Sequence, residues 1–174
     1  MRSTDTTSID LNDFSGTWTL DSERTSVKFS TKGMWVFPVK GTVKAIAGNA
    51  EITPDGAATG TLVIDAASFD TKNEKRDAHL RSDDFMEVAK YPLITFKATS
   101  GRPIGPGLLE ISGVLTIHGH AQPMTLRAEV SGSGNSATVS TRVEIDRSLW
   151  GVSWAKMGTG LKNQVVICAH FDRT

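Results

Sequence analysis

From Thr17 onward the chain alternates apolar and polar residues with a period of two, and the pattern breaks once. Val27, Phe29 and Thr31 alternate with Lys28, Ser30 and Lys32; Val39, Gly41, Val43 and Ala45 alternate with Lys40, Thr42 and Lys44. Side chains that point to opposite faces at successive positions make this the signature of a half-buried antiparallel strand. A strand over Thr59–Phe69 places Leu62, Ile64 and Ala66 on one face, and Leu93–Thr99 does the same with Ile94, Phe96 and Ala98. Later rows are Leu109, Ile111, Gly113, Leu115 and Ile117, then Leu126, Ala128 and Val130, then Val139, Thr141, Val143 and Ile145. The last strand, Gln164–Phe171, is apolar on both faces, which predicts a central or covered position. Gly48-Asn49, Pro54-Asp55-Gly56, Gly101–Gly107, His118–Pro123 and Ser131–Asn135 carry the turn residues expected between strands.

The break is the segment Arg76-Asp77-Ala78-His79-Leu80-Arg81-Ser82-Asp83-Asp84-Phe85-Met86-Glu87-Val88-Ala89-Lys90-Tyr91-Pro92. Asp84 and Glu87 have the spacing of a capping box, and Pro92 ends any helix, so one short helix is expected near Asp84–Ala89. Leu80, Phe85, Met86 and Val88 form its apolar side. Arg76, Asp77, His79 and Arg81 read most simply as ties that hold a long connection to the body by charge-assisted hydrogen bonds. The competing reading makes them a polar rim at the mouth of a pocket. A catalytic acid–base pair of His79 and Asp77 is the weakest of the three, because no partnered nucleophile accompanies it.

About eight strands joined by hairpin turns, with one helical interruption, predict an all-β, eight-stranded antiparallel barrel, since closure removes exposed strand edges. A two-sheet sandwich is the alternative. At 174 residues the chain reads as one domain over 16–174, preceded by a flexible N-terminal tail over 1–15. Nineteen basic and nineteen acidic side chains cancel, which leaves no electrostatic footprint for nucleic acid or an anionic membrane. The polar start lacks the apolar core of a signal peptide, and no run approaches a membrane helix, so a cytoplasmic protein without a membrane span is expected.

Candidate chemistry is sparse. His118 and His120 lie two apart around Gly119, but without further ligands they read as turn polarity, and no metal or other cofactor is expected. Cys168 is the single cysteine, which excludes an intrachain disulfide, and it reads as a small buried hydrophobe. Gly158-Thr159-Gly160 is too short for a nucleotide loop.

The run from Arg76 to Phe85, with Tyr91-Pro92-Leu93-Ile94-Thr95-Phe96 behind it, resembles the signature of the YceI-like family of lipocalin-like polyisoprenoid-binding proteins. Trp18-Thr19-Leu20-Asp21, Ser26-Val27-Lys28-Phe29, Gly113–Gly119 and Asp146-Arg147-Ser148-Leu149-Trp150-Gly151 agree in order, so the resemblance runs from about Gly16 to Phe171. It implies an extended lipocalin-like barrel around an apolar tunnel, a homodimer, and a polyisoprenoid or other long-chain lipid as partner. Many members are exported, whereas this chain shows no export signal, and Lys32–Phe37 stands where relatives often carry a histidine-containing strand. The expected lining is Phe29, Phe96, Leu115 and Val143 from inward rows, and Phe85 and Met86 from the helix. Trp35, Phe37, Phe69, Trp150 and Trp154 join from irregular or terminal stretches, with His79 at the rim. The expected function is non-catalytic carriage or sequestration of that lipid. The alternative is an enzyme that cyclises or modifies a hydrophobic substrate in the same cavity.

Overall fold

A computed structural model describes residues 11–31, 39–155 and 160–174. Its strands are β1 (Gly16–Thr31), β2 (Val39–Ile52), β3 (Ala58–Asp70), β4 (Leu93–Gly105), β5 (Leu108–Ile117), β6 (His120–Ser133), β7 (Ser136–Asp146) and β8 (Lys162–Arg173). They form a closed antiparallel barrel in sequence order, and β8 pairs back onto β1. The expected barrel, rather than the sandwich, is what forms. Apolar rows face inward as the alternation requires, and β8 is central in that both its edges carry a ladder.

The helix is where the sequence reading fails. α1 spans Glu74–Arg81, not Asp84–Ala89. Its N-cap is Asn73, whose side chain accepts from the Arg76 backbone N–H at 3.0 Å, an arrangement that satisfies one of the unpaired donors at a helix start. Glu87 has φ 46°, which no helix contains, and the Asp84 carboxylate is occupied by His79 rather than by a cap. Residues 82–91 instead fold as successive turns closed by Glu87 N–H to Ser82 O at 2.8 Å and Tyr91 N–H to Glu87 O at 2.9 Å.

Two expected turns are strand instead. Gly48-Asn49 lies inside β2, with the real turn over Thr53–Ala57, where both Gly56 N–H to Thr53 O and Thr53 N–H to Ala57 O measure 2.9 Å. Most of Gly101–Gly107 belongs to β4; register shifts beside Pro103 absorb the irregularity, and the connection shrinks to Pro106-Gly107. Such bulges are where a proline can enter a sheet. The β6–β7 ladder covers only Ala128–Ser133 against Ser136–Thr141, so the first half of β6, with Pro123, has no ladder to β7. There the 3-10 turn Arg147–Trp150 lies alongside, and Gln122 donates to the Leu149 carbonyl at 3.1 Å.

The buried side chains form two clusters. The larger includes Val27, Ile64, Ile94 and Leu115 with Phe85, Met86, Trp150 and Val152 from the connections. The smaller joins Phe14, Trp18, Leu109, Val130 and Ala137. Phe14 ends a 3-10 turn, Leu11–Phe14, and is buried, so this part of the expected tail packs on the barrel.

Candidate functional site

The inward rows do not meet at the barrel axis. They leave a cavity of about 1050 Å³ that reaches from Phe14 and Trp18 at one end to His79, Phe85 and Trp154 at the other. This lies just above the roughly 300–1,000 Å³ range typical of small-molecule sites. Phe29, Phe69, Phe96, Leu115 and Val143 line it, together with His79, Phe85, Met86 and Trp154. Trp150 is buried but is not part of the lining, and its indole N–H is committed to the Leu115 carbonyl at 2.8 Å. Trp35 and Phe37 lie outside the described residues. Phe29 packs edge-on to Phe69 with centroids 5.4 Å apart. Its ring lies over its cross-strand partner Gly41, where any Cβ would come within 2.6 Å of it.

At the α1 end, the polar run of the sequence turns out to be scaffolding. Asp77 is buried, and its Oδ1 accepts from the Thr71 N–H at 2.9 Å and the Thr71 hydroxyl at 2.6 Å. Arg76 donates through Nε to the same hydroxyl and through Nη2 to the Thr71 carbonyl, both at 2.8 Å. Arg81 ties to the Ala67 carbonyl at 3.0 Å. These contacts match the loop-tie reading, and they leave Asp77 engaged with Thr71 rather than with His79. Arg76 and His79 also line the cavity, so the rim reading holds for those two.

Three rings pack together at this end. His79 meets Phe85 edge-on at 4.9 Å and Trp154 edge-on at 4.7 Å, and Phe85 and Trp154 are 5.0 Å apart. Asp84 holds the His79 Nε2 at 2.8 Å from the half-exposed side. Phe85 and Met86 are aimed inward by the turns after α1, where Phe85 N–H bonds Ser82 O and Met86 N–H bonds Leu80 O, each at 3.0 Å.

Arg147 is a charged residue of the lining that the sequence reading passed over. It was visible only as one letter of a short motif after β7. Its guanidinium is buried, lines the cavity and sits 5.2 Å over the Phe85 ring. Nη1 donates to the Val152 carbonyl at 2.7 Å and Nε to the Gly160 carbonyl at 3.1 Å, while Nη2 has no hydrogen-bond partner among the described residues. Burial pushes its pKa down, with Asp146 opposing, but a guanidinium stays protonated in proteins. Asp146 caps the 3-10 turn, accepting from the Ser148 N–H at 3.0 Å and hydroxyl at 2.6 Å, and those bonds hold its carboxyl below the ordinary aspartate range.

Elsewhere, His118 and Gly119, at φ 54° and 71°, make the tight β5–β6 turn. A side chain at Gly119 would strike the Tyr91 ring. The His118 and His120 rings lie parallel at 5.9 Å, and His118 Nε2 is 3.4 Å from Glu87 Oε2, near enough for an ion pair but not aligned as a hydrogen bond. Cys168 is partly buried beside Ser140 and His170 on the outer side of β8.

The YceI-like domain model matches residues 18–172, nearly the whole chain. This chain belongs to the YceI-like family. It is 34% identical over 112 residues to a UPF0312 protein of Vibrio parahaemolyticus, a match that takes in 63% of this chain and 59% of that relative's length. It is 45% identical over 74 residues to protein YceI of Escherichia coli, covering 42% of this chain and 38% of that one. Among solved structures, Burkholderia cenocepacia BcnA superposes with a TM-score of 0.79 at 25% identity, covering 87% of this chain and 98% of BcnA. A polyisoprenoid binding domain from Saccharophagus degradans superposes at 0.73 with 18% identity, covering 90% and 98%, which speaks to the fold. The YceI-like barrel seen here therefore carries the family's architecture.

Proposed function

We propose that the lumen binds a long apolar molecule, an isoprenoid or comparable lipid tail, and that the protein carries or sequesters it without chemical change. The observation that carries this reading is the elongated cavity of about 1050 Å³, walled by strand side chains such as Val27, Phe96, Leu115 and Ile167. A polyisoprenoid-binding domain of the same fold in another organism is consistent with it.

Magnitudes set the chain length to test. Each buried CH₂ contributes about 0.8 kcal/mol, so a five-carbon isoprene unit contributes up to about 4 kcal/mol. Association costs roughly 4–15 kcal/mol, so detectable affinity begins near three units. The test is native mass spectrometry of the purified protein with lipid extraction, followed by tryptophan-fluorescence titration with prenols of two to eight units. Trp18 and Trp154 line the cavity and report occupancy. Saturable one-to-one binding that tightens with chain length is expected. Absence of saturable binding at every length overturns the proposal.

A further inference from the structure

The cavity wall is apolar almost throughout, yet among the described residues its charged side chains are Lys75, Arg76 and Arg147, all basic, with no carboxylate facing the same space. Their circumstances differ. Lys75 is exposed and solvated. Arg76 spends Nε and Nη2 on Thr71. Arg147 is 9% exposed; among the described residues its Nη2 has no acceptor, and the opposite charge acting on it is the adjacent Asp146, which makes no ion pair with it. A buried cation with unused donors is costly unless something accepts from it. Nothing in the fold requires this residue to be charged: the carbonyls of Val152 and Gly160 need donors, not a net positive charge.

We propose that Arg147 receives the head group of the lumen's ligand, and that this head is anionic, a carboxylate or phosphate on a long apolar tail. The inference rests on the lumen-binding reading above and adds the polarity of the ligand. An anionic oxygen in the lumen accepting from the guanidinium adds a second countercharge to that of Asp146, and guanidinium donors suit both anions. The Phe85 face beneath the guanidinium keeps the donor plane fixed. Lys75 and Arg76 add positive potential around the same end. The ligand then lies with its head beside the His79–Phe85–Trp154 rings and its tail toward Trp18.

Four probes test this below their micelle concentrations: farnesyl monophosphate against farnesol, and palmitate against hexadecanol. The wild-type protein is expected to bind each anion roughly ten- to hundredfold more tightly than its alcohol, the range of a charged hydrogen bond. In Arg147→Met the ratio of anion to alcohol affinity is expected to fall below about twofold. A preference for one anion only distinguishes phosphate from carboxylate as the natural head. Because Arg147 also holds two carbonyls, Arg147→Met is checked by thermal melting. If it does not fold, the Arg147 side-chain N–H resonances of the wild type decide, since they should shift with the anion and not with the alcohol. Equal affinity of anion and alcohol, a preference that survives in folded Arg147→Met, or unmoved Arg147 resonances overturns the inference and leaves lumen binding intact. Failure of all four probes to bind overturns this inference; the lumen-binding reading falls with it only where the prenols of two to eight units fail as well.

Discussion

The two ends of the lumen both carry aromatic side chains, but they are built on different supports. At the Trp18 end the ring belongs to β1, whose backbone is laddered to β2 on one side and β8 on the other. Its indole N–H bonds the Phe14 carbonyl at 2.8 Å, the Phe14 ring lies 5.9 Å away, and the Arg173 guanidinium sits 4.4 Å over its face. Arg173 in turn donates to the carbonyls of Ser15, Asp13 and Gly134. At the α1 end none of the three rings is on a strand. His79 rides on α1, Phe85 on a turn, and Trp154 on the segment after the Arg147–Trp150 turn. The comparison teaches that similar apolar surface can serve as wall or as door, depending on how much laddered backbone must move with it. Opening the α1 end disturbs caps and turns; opening the Trp18 end disturbs the barrel. Segments with few ladder bonds occupy the low-stability end of local unfolding.

The largest expected effect breaks the wall. Trp18→Ala removes a buried ring, its cation contact and its hydrogen bond, and should cost about 3–5 kcal/mol, read as a lowered urea midpoint for the whole barrel. A cost below about 1 kcal/mol would mean that this end is as loosely supported as the other.

Next comes Asp77→Ala, which leaves the buried Thr71 donors unpaired and should cost about 1–3 kcal/mol. Hydrogen exchange should quicken at residues 71–81 and remain unchanged in β1 and β8. Equal quickening in those strands would show that the α1 end is fused to the barrel rather than hinged on it.

The smallest effect is the cap of the 3-10 turn. Asp146→Ala should cost about 1 kcal/mol at neutral pH. Because the folded carboxyl is held below its ordinary range, this stabilisation is present above the unfolded aspartate pKa and fades as pH falls through the folded one. Wild type and variant melts should therefore converge on acidification below about pH 4. A constant gap down to pH 2 would place the effect in packing instead.

The barrel was legible because strict alternation survives even in strands with bulges: the row Val139, Thr141, Val143 and Ile145 faces the lumen as read. The helix was misplaced because α1 has no apolar stripe to betray it; Asp77 is its buried residue, and Asn73 announces the cap only once its side chain is seen on the Arg76 N–H. Asp84 and Glu87 offered a better cap on paper, but tertiary partners, His79 and His118, claim both carboxylates. Arg147 could not be read as a site because its meaning lies in burial beside Phe85 and in an unfilled donor. The Phe14–Trp18–Arg173 set was hidden because it joins opposite ends of the chain.

That last contact bears on how the molecule comes into being. Seven of the eight ladders join strands adjacent in sequence, and only β1–β8, from Trp18–Arg173 to Thr31–Asn163, must bring the two termini together. Closing so long a loop costs entropy that no local contact returns in advance, so it falls late and slowly in folding. The meander can form while the chain is still being synthesised, but the lumen cannot exist until β8 has been made and seated. Deleting Arg173 and Thr174 should therefore slow refolding in stopped-flow measurements; an unchanged refolding rate would move the clasp to a step after closure. A chain without its last strand has inward rows and no interior.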